Sequence, residues 1–149
     1  LRYHWNQKFP SGEKLTISHS YNPASTGGIF VWPRDGKLSS YEERLIKDYC
    51  IDDYTRKGII KLLNPPGGEN TFGAGMAINL DYFLTTANTW KGPIGTFRLT
   101  IDKGNPKSIL SVCMDGLKKT APTIFKVERK NFVPSEDLRL LFVQSPGEM

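Results

Sequence analysis

Residues 78–102 read INLDYFLTTANTWKGPIGTFRLTID, and the reading of this stretch decides the fold class. Ile78, Leu80, Tyr82 and Leu84 recur at every second position, with Asn79, Asp81 and Thr85 on the other side. Phe97, Leu99 and Ile101 repeat the alternation, with Arg98, Thr100 and Asp102 opposite. Side chains on a strand point alternately to two faces, so each run predicts a strand with one apolar and one polar face. Between them, Trp90-Lys91-Gly92-Pro93-Ile94-Gly95 forces a turn. Pro93 fixes φ, and the flanking glycines open backbone angles closed to other residues.

The same periodicity continues on both sides. Trp5, Gln7 and Phe9 alternate with His4, Asn6 and Lys8, which predicts a strand over 1–9. Pro10-Ser11-Gly12 then turns the chain into a second strand over 14–21, with Leu15, Ile17, His19 and Tyr21 on one side. A hairpin is the natural connection. Residues 22–39 are rich in Gly and Pro and read as loop, with a short strand over 29–32. Ser40 and Glu43 have the spacing of a capping box, in which each side chain satisfies a free backbone donor at a helix start. Tyr41, Leu45, Ile46 and Tyr49 follow at helical spacing. Asp52 or Asp53 caps a second helix with Ile59, Ile60, Leu62 and Leu63 as its buried stripe, and Pro65 and Pro66 stop it. Residues 64–75 form a loop. Three further strands are predicted over 109–114, 123–128 and 137–143. The order is strands, a small helical unit, then strands. It predicts one mainly β domain over residues 1–149, an antiparallel sandwich or barrel-like fold with a helical insertion at about 41–63.

The 149 residues are enough for one domain with a core of its own. A hydrophobic content of 38% against 23% charged residues excludes a disordered chain. No apolar run approaches the roughly 18 residues of a membrane helix. The net charge of +5 favours acidic partners, but the basic residues are scattered. The densest group is Lys126, Arg129 and Lys130, and no nucleic-acid partner is expected from it. Neither cysteine lies in a C-x-x-C pair. Two His and two distant Cys do not reproduce a zinc spacing, so no metal site is expected. Cys50 and Cys113 read equally well as a disulfide or as two buried thiols.

Catalytic signals are sparse. A nucleophile needs a base in reach. His4 lies on a polar face, and His19 shares a face with Leu15 and Ile17, where burial behind one hydrogen bond is expected. The pairs Glu42-Glu43 and Asp52-Asp53 sit where helix starts favour negative charge, so capping accounts for them. No catalytic residue and no cofactor is expected. Trp5 alternates with core positions. Trp32 beside Arg34, and Trp90 beside Lys91, lie in loops rich in Gly and Pro. A flat ring with a cation on a loop is a recognition surface for sugars, peptides or bases. These four residues are the candidate binding positions.

Several segments, in this order, resemble the second half of an uncharacterised family of exported, mainly proteobacterial proteins known as a domain of unknown function. They are Phe9-Pro10-Ser11-Gly12 with Ile17-Ser18-His19-Ser20-Tyr21-Asn22-Pro23, Tyr49-Cys50-Ile51-Asp52, Leu84-Thr85-Thr86 with Trp90-Lys91-Gly92-Pro93-Ile94, Cys113-Met114-Asp115-Gly116, and Phe132-Val133-Pro134 with Asp137-Leu138. One departure is Ala87-Asn88-Thr89, where the resemblance implies a turn containing glycine. The resemblance implies export to the periplasm or beyond, a preceding β-rich half, and a Cys50–Cys113 disulfide, since oxidised pairs belong to such compartments. The chain opens at Leu1 rather than Met, which fits a processed or trimmed product. The reading that follows is a non-catalytic exported interaction module whose partner is a protein or an anionic envelope component. The alternatives are a hydrolase acting on envelope polymer and a structural half that pairs with its own N-terminal domain.

Overall fold

The computed structural model describes residues 4–35, 37–64 and 73–145. Along them run β1 (Thr26–Val31), α1 (Ser40–Tyr49), α2 (Asp53–Leu63), β2 (Ala74–Tyr82), a 3-10 turn (Thr85–Thr89), β3 (Ile94–Asp102), β4 (Ile109–Val112), β5 (Lys118–Lys119), β6 (Ile124–Phe132) and β7 (Leu138–Gln144). The fold is mainly β, every strand pair is antiparallel, and among the described residues the α-helices lie in the expected segment. The strands form two open sheets, ordered β1-β2-β7-β4 and β3-β6-β5. The two strands of residues 78–102 therefore lie in different sheets. No closed barrel forms among the described residues.

β7 shows why the layers stack as they do. Its sequence, LRLLFVQ, is apolar on both faces. Leu141 and Val143 join Phe30, Trp32, Leu45, Tyr49, Ile59, Leu63 and Ala77 in a core between the helices and the four-stranded sheet. Leu138 and Leu140 face the other way, into a second core with Leu84 and Ile101, flanked by Leu80, Phe97, Leu99, Phe125 and Phe132. A strand buried on both sides reads as a nearly continuous apolar run. Here it lies under a helical layer and over a second sheet. The outer face of that sheet is charged, as expected, with Arg98 bonded to Glu128 at 2.7 Å. Gly75 in β2 is required by close approach: a Cβ there would collide with the Gln144 carbonyl and the Leu63 side chain.

Each helix start is capped, one of them a residue away from the expected position. Ser39, not Ser40, is the N-cap of α1: its Oγ accepts from Tyr41 N, and Glu42 accepts from Ser39 N at 2.7 Å. Asp52 caps α2 by accepting from Thr55 N at 2.7 Å. Cys50 ends α1 in the left-handed region, at φ 52°. It is joined to Cys113 just beyond β4, with Cα atoms 5.1 Å apart. Ser111 Oγ donates to Tyr49 O at 2.9 Å, and Arg139 approaches Asp48 at 3.5 Å. Three ties thus hold the end of α1 to the sheet.

The N-terminal expectations fail. Residues 4–25 form no strand, and all are exposed. Trp5 is 55% exposed rather than core, and His19 is exposed rather than buried. The turn survives: Gly12 has φ 77°, and the chain doubles back so that the Trp5 and His19 rings lie 4.7 Å apart. Residues 1–3 of the first expected strand, Gly36, and residues 65–72, with the expected helix stop at Pro65 and Pro66, lie outside the described residues.

Candidate functional site

Exposure separates the two candidate tryptophans. Trp32 follows β1 and is 0% exposed, stacked on Phe30 at 5.8 Å. It belongs to the helix-covered core, and Arg34 is exposed two residues beyond it. Trp90 is 63% exposed, with Lys91 exposed beside it. Its ring borders a groove of about 270 Å³ whose walls include Pro93, Ile94, Phe132, Val133 and Pro134.

The loop that carries Trp90 is fastened at several points. Where a turn containing glycine was expected, the backbone winds into the 3-10 turn, with Ala87 N donating to Leu84 O and Trp90 N to Ala87 O, both at 3.0 Å. Asn88 Nδ2 donates to Pro134 O at 2.9 Å, tying the two walls together. Asp137 accepts from Leu84 N and Thr85 N at 2.9 Å and from Thr85 Oγ1 at 2.7 Å. These bonds from Thr85 and Leu84 hold the Asp137 carboxyl below its ordinary range. Neither Asn88 nor Asp137 was singled out from the sequence as a site residue. The one available signal for Asp137 was its place in the Phe132-Val133-Pro134/Asp137-Leu138 segment.

A second, larger cleft of about 600 Å³ shares Phe132 and Val133 with the groove. The Cys50–Cys113 disulfide, Arg129, Asp115, Glu136 and Asp137 line it. Arg129 donates to the Asp115 carbonyl, and Asp137 is engaged as above, so two of its charged groups brace the wall. A carboxylate held ionised by three donors serves as an anchor rather than as a proton donor. Lys103 and Ser108 are the buried pair nearest to a nucleophile and base in kind. Lys103 Nζ donates to Pro106 O at 2.6 Å and to Ser108 O, while Ser108 Oγ donates to Asn105 O at 2.8 Å. Burial, with Lys119 adding to it, lowers the Lys103 pKa. Both side chains close the turn after β3, and the hydroxyl is committed to the backbone. Among the described residues no group of three or more His, Cys, Asp or Glu could hold a metal ion.

A family model described as a domain of unknown function matches residues 1–141. The chain belongs to the DUF4424 family. No curated protein and no solved structure matches it. For a DUF4424 member, then, the geometry of its own surface is the guide to function. No helix among the described residues is long and apolar enough to cross a membrane.

Proposed function

We propose that this domain is a non-catalytic interaction module of an exported protein, forming the C-terminal part of a longer chain, and that its ligand sits in the Trp90 groove. The observation that carries the reading is a rigidly braced loop that nevertheless leaves a tryptophan 63% exposed. Large exposed apolar groups on a braced surface mark contact sites, because water is a poor neighbour for them and rigid loops lose little entropy on binding. The ring offers a flat stacking face, the prolines give fixed walls, and Lys91, next in sequence to the ring, adds an exposed cation. That suits a protein segment or an anionic envelope component with a flat apolar face. The disulfide supports an oxidising compartment.

The test is calorimetric titration of the domain with peptidoglycan fragments, an anionic polysaccharide and acidic peptides, repeated with Trp90→Ala. One of the three should bind, and the variant should lose at least about tenfold in affinity, or 1.4 kcal/mol, with its melting temperature unchanged. Equal binding by both proteins, or none by either, would sink the proposal.

A further inference from the structure

Two surfaces of this chain match each other and are unpaired among the described residues. The first is a sheet edge. Natural edges are blunted by charge, proline or shortness. β5 is two lysines, β4 has four residues, and β3 carries Arg98 and Asp102. β1, TGGIFV, has no charge and no proline. Its Ile29 and Val31 are 81% and 45% exposed. Register carries that face onto β2, where Ile29 pairs with Met76 and Gly27 with Ile78, itself 38% exposed. The three-stranded sheet covers the same face farther along, over β7 and β4, and among the described residues this end is left bare.

The second surface is the arm of residues 4–25, which leads directly into β1. Its Trp5, Phe9, Leu15, Ile17 and Tyr21 stand between 41% and 73% exposed, in the period-two spacing of strands. Trp5 against His19 already holds its two legs side by side. To lie along its own β1 the arm would have to reverse at 22–25. Pro23 fixes its own φ and drives Asn22 toward extended angles, and residues 21–25 contain no turn. The arm therefore leads away from the edge it precedes.

We infer that two copies of the chain meet here, each laying its arm along the β1 edge and bare sheet face of the other. The contact is isologous, so it closes at two copies. Taking the large residues at about 150–250 Å² each, the exposed parts of the five arm side chains with Ile29, Val31, Ile78 and Tyr82 amount to roughly 900 Å² per copy. Exchange of both arms withdraws about twice that, within the range of roughly 1,200–2,000 Å² that specific, stable protein–protein interfaces bury.

Sedimentation equilibrium of the 149-residue chain tests this, and the wild type should be a dimer at micromolar concentration. Ile29→Lys changes a solvent-facing side chain and gives the edge the charge it lacks. It should keep the circular dichroism spectrum and melt of a folded domain and weaken association at least about 30-fold, as loss of a hot spot does. Ile17→Asp, on the arm, should do the same. An equimolar mixture of the two variants should recover association in part, because the intact arm of one meets the intact edge of the other. A wild type that stays monomeric would overturn the inference and leave the face to another occupant, such as a preceding domain. Undiminished association of Ile29→Lys, or a mixture no better than its components, would overturn it as well.

Discussion

Replacing Cys50 and Cys113 together by serine should weaken the fold by about 4 kcal/mol, because the bond closes a loop of 63 residues and the chain-entropy relation assigns that loop about 14 cal/mol/K. The native geometry gives this number its meaning. The end of α1 is also held by Ser111 Oγ on Tyr49 O and by Arg139 near Asp48, so the folded state keeps its shape without the bond. The loss then falls on the unfolded chain, which regains the freedom of a segment containing α2 and the strands β2, β3 and β4. Three consequences distinguish this from native strain. Urea unfolding should show the lower stability together with a larger m-value, since the open chain exposes more surface. The melting temperature should fall by roughly 10 °C, using about 2–4 °C per kcal/mol for a chain of this size. The wild type treated with a thiol reductant should match the double variant. A loss under about 1 kcal/mol with an unchanged m-value would refute the reasoning, since it would mean that the loop is already restricted in the unfolded state.

Trp32→Ala should cost about 3–5 kcal/mol by emptying a large volume in the helix-covered core, whereas Trp90→Ala should change stability by no more than about 0.5 kcal/mol; thermal melts of the two decide whether the rings are assigned to the right places. Asp137 has its pKa lowered on folding from an ordinary value near 3.8, so the stability it contributes is present above that value and is lost as pH falls through the lower folded one. Asp137→Asn should therefore melt below wild type at neutral pH, with the gap closing only in strong acid; a gap constant from pH 7 to the acid limit would show the charge to be idle. Gly75→Ala should destabilise by about 1–3 kcal/mol through overlap with the Gln144 carbonyl and Leu63, read by chemical denaturation against Gly28→Ala, where an added Cβ meets nothing within 4 Å.

The strands of the central stretch were legible because each pairs one apolar face with one polar face, and the helical unit because caps and spacing agree. The arm misled for a physical reason. Alternation at Trp5, Phe9, Leu15 and Ile17 states which side would be buried if the segment were paired, and says nothing about whether a neighbour exists. His19 failed with it. The cap of α1 slipped by one residue because Ser39-Ser40 and Glu42-Glu43 offer the same spacing twice. Trp32 and Trp90 share a Gly/Pro-rich setting with a nearby cation, which hid their difference. The distinguishing signal was present: Phe30 and Trp32 have the same parity across a short strand, whereas Trp90 follows a segment with no period. The bracing of the candidate groove was beyond reading, since Asn88 and Asp137 act on partners 46 to 53 residues away.

β7, sandwiched between both cores, is the last of the described strands, and its partner β2 lies far upstream, with Met76 opposite Gln144. On a ribosome, β1, β2 and both helices emerge long before the strand that joins the layers. Until then β2 has one side unzipped and each core lacks its central wall. Chains that close such distant pairs fold slowly and expose sticky intermediates meanwhile. Synthesis of this domain is therefore expected to yield a loose, chaperone-dependent precursor up to about residue 138 and to lock only when Leu138–Gln144 inserts.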